Sequence, residues 1–270
     1  MQRHNHNGMS YLRAGDGKPI LMLHGIPGSA YAWQDVGLAL ADQGYTVIIP
    51  DLMGLGESQA TAPDFYMEDQ AHALASLLKA LDIGSCVLAL HDFGGPVGVT
   101  LMRLYPELKV NALVITNTNL FTDTPVPLPL RVAAIPVLGK MFYDLAVGTR
   151  GGIRMLYRTA LKQKETVPWS TFQRHLTPNG LRATSNTFHR SIRDLAGNYR
   201  AVEDKLPTLK MPTLVLWAED DPLFAVDSGR RVAEQIPNAS LKTYPHTGHF
   251  VPEEQPAQVT QDILRLLEKI

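Results

Sequence analysis

Short apolar runs bounded by glycine, proline and polar clusters recur along the chain. They predict strands at Gly8 to Ala14, Pro19 to His24, Thr46 to Asp51, Cys86 to Leu90, Asn111 to Thr116, Thr213 to Trp217 and Ser240 to Tyr244. Apolar residues at helical spacing predict helices at Ala30 to Gln43, Met67 to Leu81, Gly95 to Tyr105, Asp227 to Gln235 and Pro256 to Glu268. Strands that alternate with helices in this way form a mostly parallel, doubly wound α/β sheet covered on both faces. The turn residues Gly15-Asp16-Gly17 predict that the first two strands pair as a hairpin.

The alternation stops between Asn119 and Leu206, where the chain is proline-rich and then helical with many arginines. Residues 119–206 are therefore expected to form an inserted cap, with 1–118 and 207–270 as the core. The run Pro125-Val126-Pro127-Leu128-Pro129-Leu130 is too broken by proline for a regular element. Val137, Leu138, Met141, Phe142, Leu145 and Leu156 are expected to dock the cap on the core or to line a tunnel mouth.

Composition narrows the partners. The 270 residues carry 25 basic and 26 acidic side chains for a net charge of −1, and 45% are hydrophobic. That balance gives no reason to expect nucleic acid or an anionic membrane, and suits a small apolar substrate. The lone Cys86 lies in an apolar strand, which excludes an internal disulfide and fits a reducing compartment. The polar start from Met1 to Asn7 lacks the apolar core of a signal peptide, so a cytoplasmic protein is expected. His4 and His6 in that segment are read as solvated, and no HExxH or CxxC spacing suggests a metal. No cofactor is expected, and a homodimer is compatible with the chain.

The chemistry is concentrated at Leu90-His91-Asp92-Phe93-Gly94-Gly95. A buried strand ends there and a helix begins, the arrangement of a nucleophile elbow, in which a side chain on a strained turn is thrust into a cavity. Gly94 supplies the small residue that the crowding of strand and helix demands. The exposed side chain is Asp92. A carboxylate attacking an ester or amide carbonyl forms an anhydride more reactive than the substrate. At a saturated carbon it displaces a leaving group and leaves an ordinary ester on the enzyme.

Cleaving that ester requires a base for water, and the segment His246-Thr247-Gly248-His249 follows the last strand. His249 is preferred to His246 because Gly248 permits a tight turn that points the imidazole back across the strand ends. Strand Thr213 to Trp217 runs into Glu219-Asp220-Asp221, so a carboxylate there reaches the same sheet edge. Asp221 is the favoured orienter of the imidazole, with Asp220 as the alternate.

The order nucleophile, acid, histidine resembles that of the α/β-hydrolase superfamily. So do His24-Gly25-Ile26-Pro27-Gly28-Ser29 after one strand and Asp51-Leu52-Met53-Gly54-Leu55-Gly56-Glu57-Ser58 after the next. The resemblance covers nearly the whole chain and implies an oxyanion hole from the backbone amides of Phe93 and Ile26. It also implies that His24, His91, Asp51, Glu57 and Ser58 support loops.

Two branches of the superfamily, epoxide hydrolases and haloalkane dehalogenases, place an aspartate at the elbow. Dehalogenases supply N–H donors around the departing halide, and neither Phe93 nor Ile26 has a side-chain donor. Epoxide hydrolases protonate the opening ring with cap tyrosines and share the HGxP turn, present here as His24 to Pro27. Asn198-Tyr199-Arg200 resembles their Asn-Tyr-Tyr-Arg segment shortened by one residue, which implies Tyr199 as first proton donor. Distance from the elbow implies Tyr143 as the second, with Tyr157 as substitute. The expectation is thus an epoxide hydrolase, with a haloalkane dehalogenase and a binding protein without turnover as alternatives.

Overall fold

The computed structural model describes residues 1–59, 65–126, 128–135 and 137–270. Eight strands form one sheet: β1 (Gln2–His6), β2 (Met9–Ala14), β3 (Pro19–Leu23), β4 (Thr46–Pro50), β5 (Ser85–His91), β6 (Lys109–Thr116), β7 (Thr213–Ala218) and β8 (Ala239–Tyr244). Their spatial order is β1-β2-β4-β3-β5-β6-β7-β8. From β4 to β8 every pairing is parallel, and β1 and β2 are added antiparallel at one end. The expected strands are present to within two residues at each end.

Two apolar layers hold the sheet. On one face lie α2 (Met67–Ala80) and α3 (Gly94–Leu104), packed on Leu21, Leu23, Ile48, Leu88 and Leu90. On the other lie α1 (Gln34–Asp42) and α11 (Pro256–Leu267), packed on Ile20, Met22, Val47, Ile49 and Val87. Alternate residues of β3 and β4 thus enter opposite layers, which is why these strands read as unbroken apolar runs.

The structure departs from the sequence reading in two places at the sheet's antiparallel end. β2 does not form a hairpin with β3 but pairs with β4, Leu12 opposite Ile49. Fully buried β4 needs a neighbour on each edge, and the Gly15-Asp16-Gly17 turn carries the chain past it; a Cβ on either glycine would strike the Gly44 or Tyr45 carbonyl. The polar start, for which no element is predicted, is strand β1, with His4 exposed and His6 half-buried. An edge strand needs no apolar alternation, and this one is held by its ladder, by His4 stacked on Tyr11, and by Arg3 bonded to Asp51 at 2.6 Å.

Between β6 and β7 run α4 (Leu138–Ala146), α5 (Arg150–Ala160), α6 (Trp169–Phe172), α7 (Pro178–Arg193) and α8 (Leu195–Glu203). A small core of Ile153, Tyr157, Leu161, Phe172 and Leu176 joins this insert to Phe250. The proline-rich run is more regular than expected: a 3-10 helix spans Leu128–Ala134, because its short turns tolerate a residue without an N–H near their start. Pro127 lies outside the described residues. Val137, Leu138, Met141 and Leu145 do not dock on the core; all four side chains face solvent. α9 (Val226–Gln235) and α10 (Val251–Glu254) complete the chain.

Candidate active site

β5 delivers Asp92 to the C-terminal edge of the sheet, where open α/β sheets bind ligands. Its φ of 49° lies in the left-handed region that non-glycine residues avoid at roughly 1 to 3 kcal/mol. Surrounding bonds impose this conformation. The Asp92 amide donates to the Asn117 carbonyl at 3.1 Å, and its own carbonyl accepts from Thr118 Oγ1 at 2.6 Å and from the Gly95 amide at 2.9 Å. Gly94 allows the close crossing, since a Cβ there would sit 2.5 Å from the Leu23 carbonyl oxygen. Gly25 opposite leaves room for the carboxyl group itself, which a Cβ would overlap.

The two Asp92 oxygens have different surroundings. Oδ1 accepts from the Ile26 amide at 2.6 Å, and Oδ2 lies 3.5 Å from His249 Nε2. His249 Nδ1 donates to Asp221 Oδ2 at 2.9 Å. Asp221 also accepts from Asn117 Nδ2 at 2.6 Å and from the Leu223 amide at 2.7 Å. His91 Nε2 donates to the His249 carbonyl at 3.0 Å, and the His249 amide donates to the Ala160 carbonyl, so the histidine loop is tied to both elbow and insert.

The side chains of Asp92, His249 and Asp221 are all buried. Burial alone would lower the His249 pKa, but the Asp221 and Asp92 carboxylates outweigh it and raise it well above the usual imidazole range. Burial would raise the Asp92 and Asp221 carboxyls; their bonds and attraction to His249 outweigh this and hold both below the ordinary range. The resting site is therefore carboxylate, imidazolium, carboxylate. His91, by contrast, is pushed down to about 4, chiefly by burial and by the facing His249 charge, and stays neutral as a donor.

Of the alternates, Asp220 and His246 are exposed and lie outside this constellation. His24 accepts from the Leu52 amide and donates to the Gly25 carbonyl, and Asp51 accepts from Ala30 and Glu57 amides, with Ser58 Oγ on its carbonyl. These residues tie together the two loops after β3 and β4. Among the described residues, no group of three or more His, Cys, Asp and Glu side chains is placed to share a metal ion.

A cavity of about 90 Å³ opens on Asp92, walled by Ile26, Phe93 and Phe224 from the core and by Phe188, Ser191 and Tyr199 from the insert. Tyr199 is buried; burial first, then the Asp92 charge, pushes its hydroxyl up to about 12, so it is fully protonated at neutral pH. The structure does not bring the other two tyrosines here. Tyr143 donates to the Leu130 carbonyl at 2.9 Å and stacks behind Phe188, and Tyr157 donates to the Val167 carbonyl at 2.9 Å. Both hydroxyls are committed to backbone within the insert.

Three residues were missed in the sequence. Asn117 bridges β6 and β7, accepting from the Ala218 amide while donating to Asp221; its signal was its place directly after an apolar strand. Ser191 enters the cavity from α7 with no local signal. Tyr66, just before α2, reaches Ser191 Oγ at 2.9 Å and packs on Phe93.

The alpha/beta hydrolase family pattern matches residues 20–262. The chain belongs to that family. A relative from Shewanella oneidensis, a cis-3-alkyl-4-alkyloxetan-2-one decarboxylase, is 28% identical over 277 aligned positions, covering 96% of this chain and 85% of the relative. Among solved structures, an ancestral haloalkane dehalogenase superposes with a TM-score of 0.81 at 20% identity over 99% of both chains. The epoxide hydrolase CorEH superposes at 0.73 and 24% identity, again over 99% of both. At such identities these structures establish the fold of this alpha/beta hydrolase and no more.

Proposed function

We propose that this alpha/beta hydrolase opens an epoxide to a vicinal diol through an ester on Asp92. The observation that carries the reading is a carboxylate at the elbow sharing one buried cavity with a protonated tyrosine, Tyr199. Residues 119–206 then act as a cap that supplies the acid.

In the first step Asp92 Oδ2 attacks a ring carbon, the C–O bond breaks, and its electron pair goes to oxygen. The alkoxide so formed is far more basic than a phenolate and takes the Tyr199 proton. Ser191 and Tyr66 form the adjoining hydroxyl pair and supply a further hydrogen bond to that oxygen, the part that sequence resemblance assigned to Tyr143. Esterification removes the Asp92 charge, one of two that hold the proton on His249. That proton replaces the one Tyr199 gave up. Neutral His249 then deprotonates water, hydroxide adds to the ester carbon, and the oxyanion on Oδ1 is held by the Ile26 amide with that of Phe93 beside it. Collapse expels the diol, which takes its second proton from His249.

A haloalkane substrate fits less well. The Asn119 side chain lines the cavity, but its Nδ2 donates to the Phe121 carbonyl, and Phe93 and Ile26 carry no side-chain N–H. The Shewanella relative favours a second reading, opening of an oxetan-2-one. Attack at the saturated carbon of that ring would expel a carboxylate, which needs no proton donor. Tyr199→Phe separates the readings. With styrene oxide, kcat/KM is expected to fall roughly 10²- to 10⁴-fold, the usual contribution of a general acid. An unchanged value, or activity confined to bromoalkanes or lactones, would overturn the epoxide reading.

A further inference from the structure

Among the described residues eight large apolar side chains are exposed, and seven of them lie between Leu128 and Met155. Leu138, Met141 and Leu145 stand three and four positions apart, so they share one face of α4. The opposite face is already used, since Tyr143 stacks on Phe188 of α7. A helix apolar on both faces has a second partner beyond its own fold.

Charge identifies that partner. From Leu128 to Ala160 the chain carries Arg131, Lys140, Arg150, Arg154 and Arg158 against one carboxylate, Asp144, which is bonded to Lys140 and Ser185. With a total of −1, the rest of the molecule is net negative, so this segment is a cationic pole. Exposed apolar side chains on a cationic segment, with Arg154 and Arg158 beside Met155, fit a surface that presents hydrocarbon beneath anionic head groups. A second copy fits poorly, because a two-fold pairing of this face sets arginines against arginines.

We infer that the outer face of α4, with Met155 and the arginines of α5, docks on an anionic lipid bilayer. Val126 and Leu130, which flank Leu128, line the cavity over Asp92, so docking sets the cavity wall beside the hydrocarbon where apolar compounds partition. The docking itself does not depend on the reaction proposed above.

Cosedimentation of the full chain with vesicles tests this. Binding is expected to vesicles containing phosphatidylglycerol, far less to phosphatidylcholine alone, and to weaken at 1 M salt, where the screening length shrinks to about 3 Å. Arg154→Gln with Arg158→Gln is expected to weaken binding roughly thirty-fold, at about 1 kcal/mol per basic residue. Met141→Glu with Leu145→Glu is expected to abolish it; both side chains are exposed, so circular dichroism is expected to match the native chain. No binding to phosphatidylglycerol vesicles, or equal binding by the Met141→Glu, Leu145→Glu variant, overturns the inference. So does a soluble dimer that this variant dissociates, which would assign the face to a second copy. Retained vesicle binding with no epoxide turnover would reject the reaction alone.

Discussion

Asp92→Ala is expected to abolish turnover, with kcat falling by roughly four to six orders of magnitude, as when a covalent nucleophile is removed from its assembly. The basis is geometric: among the described residues no other carboxylate lines the cavity. Asp221 points at His249 Nδ1 and is bonded by Asn117 and the Leu223 amide, so neither of its oxygens reaches the cavity. The fold is expected to survive, because the substitution removes a buried charge; alanine at φ 49° keeps the backbone strain already present and loses only the Ile26 bond. Circular dichroism and a thermal melt separate loss of chemistry from loss of structure. Residual activity within tenfold of the native protein would mean that Asp92 is not the nucleophile.

His249→Gln is expected to separate the two halves of the reaction. Attack by Asp92 Oδ2 needs the carboxylate, which the Ile26 amide still stabilises, whereas hydrolysis needs the base. The variant is therefore expected to accumulate ester, seen as protein plus substrate mass on the peptide carrying Asp92, with steady-state turnover reduced by at least roughly 10³-fold. The native protein is expected to behave likewise in acid. Asp92 titrates below the ordinary carboxylate range, so it stays ionised as pH falls toward 5, while His249, raised above the ordinary imidazole range by Asp221, remains protonated and cannot act as base. Ester is thus expected to build up at pH 5 and to disappear above neutrality. The linked stability has both signs. What the depressed Asp92 and Asp221 contribute is lost as pH drops through their folded values, and what the raised His249 contributes is lost as pH climbs through its own.

Much of this site was legible because its geometry is local. A strand that ends in a turn, followed by glycine and a helix, projects its side chain whatever lies beyond, so Asp92 could be read from Val87 to Met102 alone. Asp221 and His249 were legible for the same reason, each following a strand onto one sheet edge. What could not be read depends on distant partners. β1 is polar because it is an edge, and the pairing of β2 with β4 depends on which strand needs a second neighbour. Tyr143 and Tyr199 both read as proton donors in the sequence, and only packing decides that one hydroxyl meets the Leu130 carbonyl while the other side chain lines the cavity. Ser191 and Tyr66 meet across 125 positions, a contact with no local trace. The outer face of α4 misled for a related reason: apolar spacing predicts burial, and it holds equally for a face covered by something outside the chain.

The central claim is that oxygen from Asp92 leaves in the product. In one turnover with enzyme in excess, in water enriched in ¹⁸O, the first diol is expected to carry no label, while the peptide containing Asp92 gains one heavy oxygen. Label in the diol from that first turnover, with the peptide unchanged, would contradict the covalent route and leave Asp92 as a base for water.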